Sequence, residues 1–484
     1  MDEHSLPSDL PTQLWIGGAW VDGARPATPV ANPDTGELLA TVANADVEQG
    51  LAALAAADHA RPGWAATPPR TRAELLRAAF EAVVARREDF ARTMTLEMGK
   101  TLPESDGEVT YGAEFLRWFS EEAVRIEGRY GILPEGTLRG LVMKRPVGPC
   151  LLLTPWNFPL AMATRKVAPA LAAGCTVVLR PSSVTPLTTL LFARVLADVG
   201  IPDGVVNVIT STEHDVTDAV IADPRLRKLS FTGSTEVGQA LLRQAADGVL
   251  RTSMELGGNA PFLVFEDADL AAAVEGAKAA KLRNIGEACT AANRFIVHES
   301  IAGEFARRLA AEFSRLEVGD PLAEGTDVGP LISADAREQV HSLVSSAITA
   351  GAQLLTGGEV PDGPGHHYPP TVLAGVGHDA AILGEEIFGP VAVVTSFRDE
   401  AEALRIANAT RMGLAAYAYT RDPDRIQRLG VLLETGMIGI NTGVLSNAAA
   451  PFGGVKQSGI GREGSHEGIQ EYLETVYLAL PDPS

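Results

Sequence analysis

Cysteine is scarce in this chain. Its 484 residues hold three, Cys150, Cys175 and Cys289, widely spaced and without a CxxC pair or a companion histidine cluster. That argues against both a disulfide framework and a structural zinc site, and no metal is expected. Basic residues are also in deficit: 40 Lys and Arg face 61 Asp and Glu, a net charge of −21 at pH 7. A field of that sign repels phosphate backbones and anionic lipid, so nucleic acid and membrane are discounted as partners. An anionic small substrate would need locally placed arginines. Long apolar runs are missing too. The stretch 167–179 lies between Lys166 and Arg180, contains Pro169 and Gly174, and falls short of the ~18 residues of a spanning helix. The start, MDEHSLPSDLPTQ, is acidic and broken by proline, with no basic region leading into an apolar core, as expected of an untargeted, frayed, cytoplasmic N-terminus.

What is present is the composition of a globular enzyme, 46% hydrophobic and 21% charged, long enough for about two or three domains. From residue 151 onward, short β-rich runs (151–154, 176–179, 205–209, 228–231) alternate with Ala- and Leu-rich helical ones (159–173, 186–199, 213–222, 236–246). Four consecutive units of this kind predict a doubly wound parallel sheet. A second βα region follows Gly257 and Gly258, with a strand over 261–265, a helix over 269–283 and further alternation to about 441. Ahead of the first nucleotide-type strand, 47–59, 71–97 and 102–127 have the amphipathic spacing of long helices. Segments 129–146 and 467–480 fall outside both regions and are β-prone in part, which suits a small protruding sheet for subunit contacts.

Four constellations could carry chemistry. In Ser253-Met-Glu-Leu-Gly-Gly-Asn259, the carboxylate of Glu255 precedes a glycine pair that lets the backbone turn sharply and approach a ligand closely. A lone Glu before a turn is more often a solvated surface residue. In Arg283-Asn-Ile-Gly-Glu-Ala-Cys-Thr-Ala-Ala-Asn-Arg294, Cys289 lies in a polar, small-residue loop where a thiol could be exposed and activated. Cys150 and Cys175, beside apolar strand-like runs, read as small buried hydrophobes. Thr154-Pro-Trp-Asn-Phe-Pro159 sits at the C-terminal end of a predicted strand, where open α/β sheets bind ligands, and Asn157 could donate to an oxyanion there. Phe231-Thr-Gly-Ser-Thr-Glu-Val-Gly238 is a strand, a glycine turn and a helix start, a plausible pyrophosphate site, though its spacing is not G-x-G-x-x-G.

Taken together and in this order, these segments resemble the aldehyde dehydrogenase family. PWNFP, FTGSTEVG, MELGG, the GxxC segment ending at Cys289, EEIFGP at 385–390 and PFGGVKQSGIGRE at 451–463 carry the likeness, which runs from about Trp15 to Tyr477. The resemblance implies an α/β fold with a Rossmann-type cofactor domain (1–128 and 147–255), an α/β catalytic domain (256–440), a substrate-pocket and interdomain segment (441–466), and a small β oligomerisation extension (129–146 and 467–484). It implies Cys289 as the nucleophile, Glu255 as the base and Asn157, with the backbone N–H of Cys289, as oxyanion donors. It implies NAD or NADP held by Thr154, Trp156, Arg180, Ser183, Gly233, Ser234, Leu256, Glu386 and Phe388. Arg180, where many relatives carry Lys, and Ser183, where NAD-strict relatives tend to carry Glu, favour acceptance of a 2′-phosphate.

Within the family the likeness is greatest to succinate-semialdehyde dehydrogenases, through Thr164-Arg-Lys166, 231–238, 255–262 and 439–446. That subgroup implies a substrate carboxylate gripped by Arg165, Arg283 and Ser446, and a homo-oligomer, dimer or tetramer. The expected reaction is oxidation of succinate semialdehyde to the dicarboxylate; glutarate semialdehyde or a broad aldehyde range is the alternative. Two departures stand out. Glu287 occupies a position where many relatives carry Gln; it reads as a residue behind the thiol, although a carboxylate so near could raise the thiol pKa. Ala291 replaces the second cysteine that lets some relatives close a redox disulfide, so no such switch exists at that site.

Overall fold

The computed structural model describes residues 5–482; the first four residues of the expected 1–128 segment and the last two of 467–484 lie outside them. The chain builds two parallel-rich sheets and passes between them at 255–260 and again between 440 and 459. The first has the strand order Gly459–Ile460, Arg251–Glu255, Lys228–Thr232, Cys150–Leu153, Val177–Arg180, Val206–Val208, Leu14–Ile16 and Ala19–Val21. The chain starts at Cys150–Leu153, winds outward through Val177–Arg180 to Val206–Val208, then returns to the other side for Lys228–Thr232 and Arg251–Glu255, all in parallel. The reversal leaves a crevice at the carboxyl ends of Cys150–Leu153 and Lys228–Thr232, where a doubly wound sheet takes its ligand.

Apolar side chains cover both faces of this sheet, which is why Cys150–Leu153 and the start of Val177–Arg180 read as unbroken hydrophobic runs. Cys150 and Leu152 enter one buried cluster with Val167, Leu171 and Leu190; Leu151 and Leu153 enter another with Leu229, Phe231 and Met254. The flanking antiparallel strands at both edges, Leu14–Ile16 with Ala19–Val21 and Gly459–Ile460, were absent from the sequence expectation. They are two or three residues long, too short for a local periodicity to announce them, and Leu14–Ile16 and Gly459–Ile460 join the sheet through partners far away in the chain.

After Glu255 the chain passes directly into Ala260–Val264, a central strand of the second sheet, ordered Gln353–Thr356, Thr371–Ala374, Val391–Phe397, Ala292–His298, Ala260–Val264, Ala415–Tyr419 and Met437–Ile440. Phe262 and Val264 pack on one side, Leu263 and Phe265 on the other. A third, antiparallel sheet joins Leu473–Pro481, Leu138–Pro146 and Arg129–Ile132. It presents Tyr130, Ile132, Met143, Tyr477 and Leu478 outward. The segment expected to begin at 467 contributes a strand only from Leu473, because Ser465–Gln470 is helical.

The expected helix over 71–97 is two helices, Pro69–Ala85 and Arg87–Met98, broken at Arg86. No Gly or Pro marks the break; Arg86 instead turns its guanidinium to Asp9 and Asp89. The next helix, Leu102–Glu122, lies against the fully buried helix Ala161–Ala173. Between them Lys100 and Glu108 form an ion pair that is 1% exposed on each side. Glu108 accepts from the backbone N–H of Leu160 (3.0 Å) and Ala161 (3.1 Å), taking up orphan donors at that helix start. Lys100 donates to the carbonyl of Asn157 at 2.8 Å. No helix among the described residues is long and apolar enough to cross a membrane, and no group of three or more His, Cys, Asp or Glu among them could hold a metal ion.

Because breaking one half of a buried pair strands the other charge, Lys100→Met is expected to cost about 3–5 kcal/mol of stability. Thermal unfolding followed by circular dichroism reads this as a lower midpoint; an unchanged midpoint contradicts it.

Candidate active site

Three elements of the crevice are delivered by strand ends, and Cys289 by the turn ahead of a strand. Beyond Leu153 the chain runs through Thr154-Pro-Trp-Asn-Phe-Pro159, where two prolines keep it out of helix until Ala161. Asn157 is 3% exposed. Its side-chain Nδ2 donates to the carbonyl of Glu287 at 2.9 Å, the one acceptor it has among the described residues. An amide nitrogen carries two hydrogens, so the second remains for a ligand. Beyond Thr232, Gly233 passes so close to the Phe231 ring that a Cβ would lie 2.4 Å from it. Ser234 caps the helix Thr235–Asp247 by accepting from Val237 N.

Glu255 ends its strand 3% exposed, and the chain then crosses between the sheets. The glycine pair was expected to make a sharp turn beside a ligand. Neither Gly257 nor Gly258 has a positive φ. Their requirement is close approach within the protein: a Cβ on Gly258 would sit 2.2 Å from the carbonyl oxygen of Cys289, and one on Gly257 2.7 Å from the Glu386 carboxylate. Gly258 N also donates to Glu386 at 2.9 Å. Cys289 itself follows the helix Leu270–Leu282 and three successive left-handed residues, Asn284 (φ 57°), Ile285 (φ 62°) and Gly286 (φ 80°). Its backbone N–H has no acceptor among the described residues.

These strand ends enclose a cavity of about 350 Å³ lined by Trp156, Asn157, Gly233, Ser234, Glu255, Leu256, Cys289, Glu386 and Phe388, all named from sequence. Trp156 and Phe388 meet edge to face at 5.5 Å. Thr154, Arg180 and Ser183 lie outside this lining, at the ends of Cys150–Leu153 and the adjacent Val177–Arg180. Arg180 donates to Ser211 O at 2.7 Å while its Nε, with Thr154 Oγ1 and Thr232 Oγ1, is buried without a partner among the described residues. Unpartnered polar atoms at strand ends, a helix N-terminus and a slot between aromatic rings fit a dinucleotide.

Of the residues proposed for a substrate carboxylate, the structure joins two. Arg283 donates to Ser446 Oγ at 2.9 Å and stacks on Phe158 (5.0 Å) and Tyr111 (5.3 Å). Arg165 stands apart from them, 1% exposed, paired with Glu463 and stacked on Phe452 at 4.3 Å. Its Nη2 is buried without a hydrogen-bond partner.

Burial sets the protonation of the reacting groups. Desolvation pushes the Cys289 thiol up to about 12; Arg165 and Arg283 pull it down, while Glu386 and Glu255 push it further up. Desolvation, then the charge of Glu463, holds Glu255 well above the carboxylate range against the pull of Arg165 and Lys166. Glu463 is itself ionised: burial raises it, but Arg165 and Lys166 outweigh burial. Glu287 does not press on the thiol as the sequence suggested. Its Oε1 accepts from Ile332 N at 3.1 Å, Oε2 has no partner, and burial holds the carboxyl well above its ordinary value, hence neutral.

Several contributors were missed from sequence. Glu463, Lys166 and Lys100 are buried charges. Lys166 carried a signal, a cation inside an Ala- and Leu-rich helix that must find a partner; it bonds Glu463 (2.6 Å) and Ser230 (2.9 Å). Gln339, Arg411 and Met412 also line the cavity, and nothing in their neighbourhoods announced it.

A two-sheet scaffold whose crevice brings together a cysteine, a buried carboxyl and a buried side-chain amide fits an aldehyde-oxidising, nicotinamide-dependent enzyme. The chain belongs to the aldehyde dehydrogenase family, whose model matches residues 20–478. It is 60% identical over 447 residues to a succinate-semialdehyde dehydrogenase of Paenarthrobacter nicotinovorans, covering 92% of this chain and 99% of that one. It is 46% identical to a glutarate-semialdehyde dehydrogenase of Pseudomonas putida strain KT2440, with 97% of each covered. The crystal structure of an NADP-dependent enzyme from E. coli superposes with a TM-score of 0.97 at 45% identity, covering 98% of each chain.

A neutral buried Glu287 makes a pH-dependent prediction. Its folded-state pKa is raised, so above the unfolded carboxyl value of about 4.3 the unfolded chain sheds a proton that the folded protein keeps, and Glu287 increasingly opposes folding. Glu287→Gln is therefore expected to raise the thermal midpoint at pH 8, with the gain vanishing near pH 4.5. An equal midpoint for the two proteins at pH 8 contradicts it.

Proposed function

We propose that the chain oxidises an acid semialdehyde, succinate semialdehyde first, to the dicarboxylate with NAD(P)+. The observation that carries this reading is the Arg283–Ser446 pair, together with Arg165, whose charges act on Cys289: a planar guanidinium beside a hydroxyl offers charge-assisted donors to a carboxylate. The relative from Paenarthrobacter is named for the four-carbon substrate, and the one from Pseudomonas putida for the five-carbon one. Glutarate semialdehyde is therefore the second reading.

Cys289 adds to the aldehyde carbon as the thiolate, its proton passing to Glu255 or to water, and the oxyanion of the thiohemiacetal is held by Asn157 Nδ2 and the Cys289 N–H. Preorganised donors of this kind are worth about 3–4 kcal/mol each. Bound NAD(P)+ supplies the hydride acceptor, and collapse of the oxyanion leaves a thioester on Cys289. Glu255 then takes a proton from water as that water attacks the thioester carbon; the C–S bond breaks, and the carboxylate departs while the thiol is restored. A base whose pKa is raised acts only once it has lost its proton, so turnover falls on acidification.

Trp156, Gly233, Ser234, Leu256, Glu386 and Phe388 would hold the cofactor, with Thr154, Arg180 and Ser183 toward its adenosine end. The free Nε of Arg180 and the absence of a carboxylate at Ser183 favour NADP. The first sheet with its helices, 1–128 and 147–255, would form the cofactor domain, 256–440 the catalytic domain and 441–466 the segment between them. The outward aromatic and aliphatic side chains of the sheet formed by 129–146 and 473–481 support a homo-oligomer joined there. Three unpaired cysteines suit the cytoplasm.

The test is a panel of aldehydes assayed by nicotinamide absorbance with NAD+ and NADP+ in parallel. Succinate semialdehyde is expected to lead, and preference for neutral or cationic aldehydes overturns the substrate class. In the same assay Arg283→Ala is expected to raise KM for succinate semialdehyde about 10- to 100-fold while kcat changes less than about 3-fold. Loss of kcat at unchanged KM would remove Arg283 from substrate binding.

A further inference from the structure

Two loops form the proposed oxyanion site, and they come from different sheets: 154–159 follows the first, and 283–289 leads into the second. Asn284 ties them together. Its Nδ2 donates to the carbonyl of Asn157 at 3.0 Å and to the carbonyl of Glu287 at 2.9 Å, one hydrogen to each loop. Glu287 O is also the acceptor of Asn157 Nδ2 at 2.9 Å. The result is a closed triangle of Asn157, Asn284 and Glu287, two residues before the thiol. Asn284 is itself fixed, its backbone N–H held by Glu104 Oε1 at 2.6 Å, and it is 1% exposed.

The backbone marks the same residue. Asn284 sits at φ 57°, ψ 41° and the β-branched Ile285 at φ 62°, both left-handed. Asn is among the non-glycine residues best suited to that region, whereas a β-branched residue there is strained, and such strain persists only where the surroundings impose it. The strained turn aims the Asn284 amide back at two carbonyls when an ordinary helix end would have sent it to solvent.

We infer that Asn284 is a positioning residue that sets the separation between the Asn157 amide and the Cys289 N–H; this rests on the oxyanion role proposed above for those two donors. It touches neither substrate nor cofactor in this scheme. Its bonds orient Asn157 from the carbonyl side, so that the second Nδ2 hydrogen points at the reacting oxygen. Without the Asn284 amide, Asn157 Nδ2 to Glu287 O is the remaining direct hydrogen bond between the two loops among the described residues. A displacement of about 1 Å in such a pair of donors costs on the order of 100-fold in rate.

The experiment compares wild type, Asn284→Gly, Asn284→Asp, Asn157→Ala and the double variant Asn157→Ala with Asn284→Gly, all as full chains. Glycine keeps the left-handed backbone and deletes the amide; aspartate keeps the shape but faces two carbonyls with oxygen. Steady-state kcat and KM with succinate semialdehyde are read beside the rate of Cys289 alkylation by iodoacetamide and NADP+ affinity by calorimetry. Asn284→Gly is expected to lower kcat about 10- to 100-fold, with KM, alkylation rate and cofactor affinity each within about 3-fold of wild type. The double variant should fall no more than about 3-fold below Asn157→Ala, because the two residues act through one group. Should Asn284→Gly fail to give soluble protein, Asn284→Asp carries the same expectation with a larger loss. Normal kcat in both Asn284 variants while Asn157→Ala is crippled overturns the inference and leaves the oxyanion reading intact. Alkylation lost in parallel with kcat, or a fully multiplicative double variant, also overturns it. Near-normal kcat in Asn157→Ala instead defeats the oxyanion reading itself.

Discussion

Desolvation of a thiol and a carboxyl in one crevice is the constraint on which this site turns. Burial pushes Cys289 and Glu255 toward their neutral forms, and a neutral pair neither attacks a carbonyl nor activates water. The counterweight is the cationic side of the buried helix Ala161–Ala173: Arg165 pulls on both groups and Lys166 on Glu255. Glu463 shares those cations and offsets their effect on Glu255. Two buried positive charges and one ionised carboxyl leave the crevice with a net pull toward the anion, which an incoming anionic substrate also experiences.

That arrangement depends on the way the chain moves from one sheet to the other. Glu255 is the last residue of its strand in the first sheet, and five residues later the chain is inside the second. The crossing brings Gly258 against the carbonyl of Cys289 and Gly257 against Glu386. A side chain at Gly258 would collide with the Cys289 backbone, and one at Gly257 with the Glu386 carboxylate. On the opposite wall, Lys100 and Glu108 hold the Asn157 segment and the start of the helix that carries Arg165. One buried pair thereby positions the Asn157 amide and the cationic counterweight together.

Much of this was legible in the sequence, and the reason is local. Parallel strands covered on both faces read as short apolar runs, and Asn157 and Gly233 lie just beyond the carboxyl ends of two of them; Glu255 ends the strand Arg251–Glu255, which is not an apolar run, and it joined the site only through the family resemblance. What stayed hidden depends on distant partners. The strands Leu14–Ile16 and Gly459–Ile460 exist because an edge of the first sheet accepts them. Arg86 breaks a helix for Asp9 and Asp89 without any breaker residue. The side chain of Glu287 points to Ile332 and not to the thiol two residues away, which spacing along a left-handed turn could not reveal. Asn284 reads in sequence as one polar residue in a loop; its conformation and its two carbonyl partners appear only in three dimensions.

The claim that the reaction runs through a thioester on Cys289 released by Glu255 is tested most directly by Glu255→Gln mixed with succinate semialdehyde and NADP+, quenched in acid and weighed intact. The account predicts one turnover of reduced cofactor per site and a mass increase of one succinyl group that maps to Cys289 on digestion. A variant that forms no adduct at Cys289 while still turning over at the wild-type rate would contradict it.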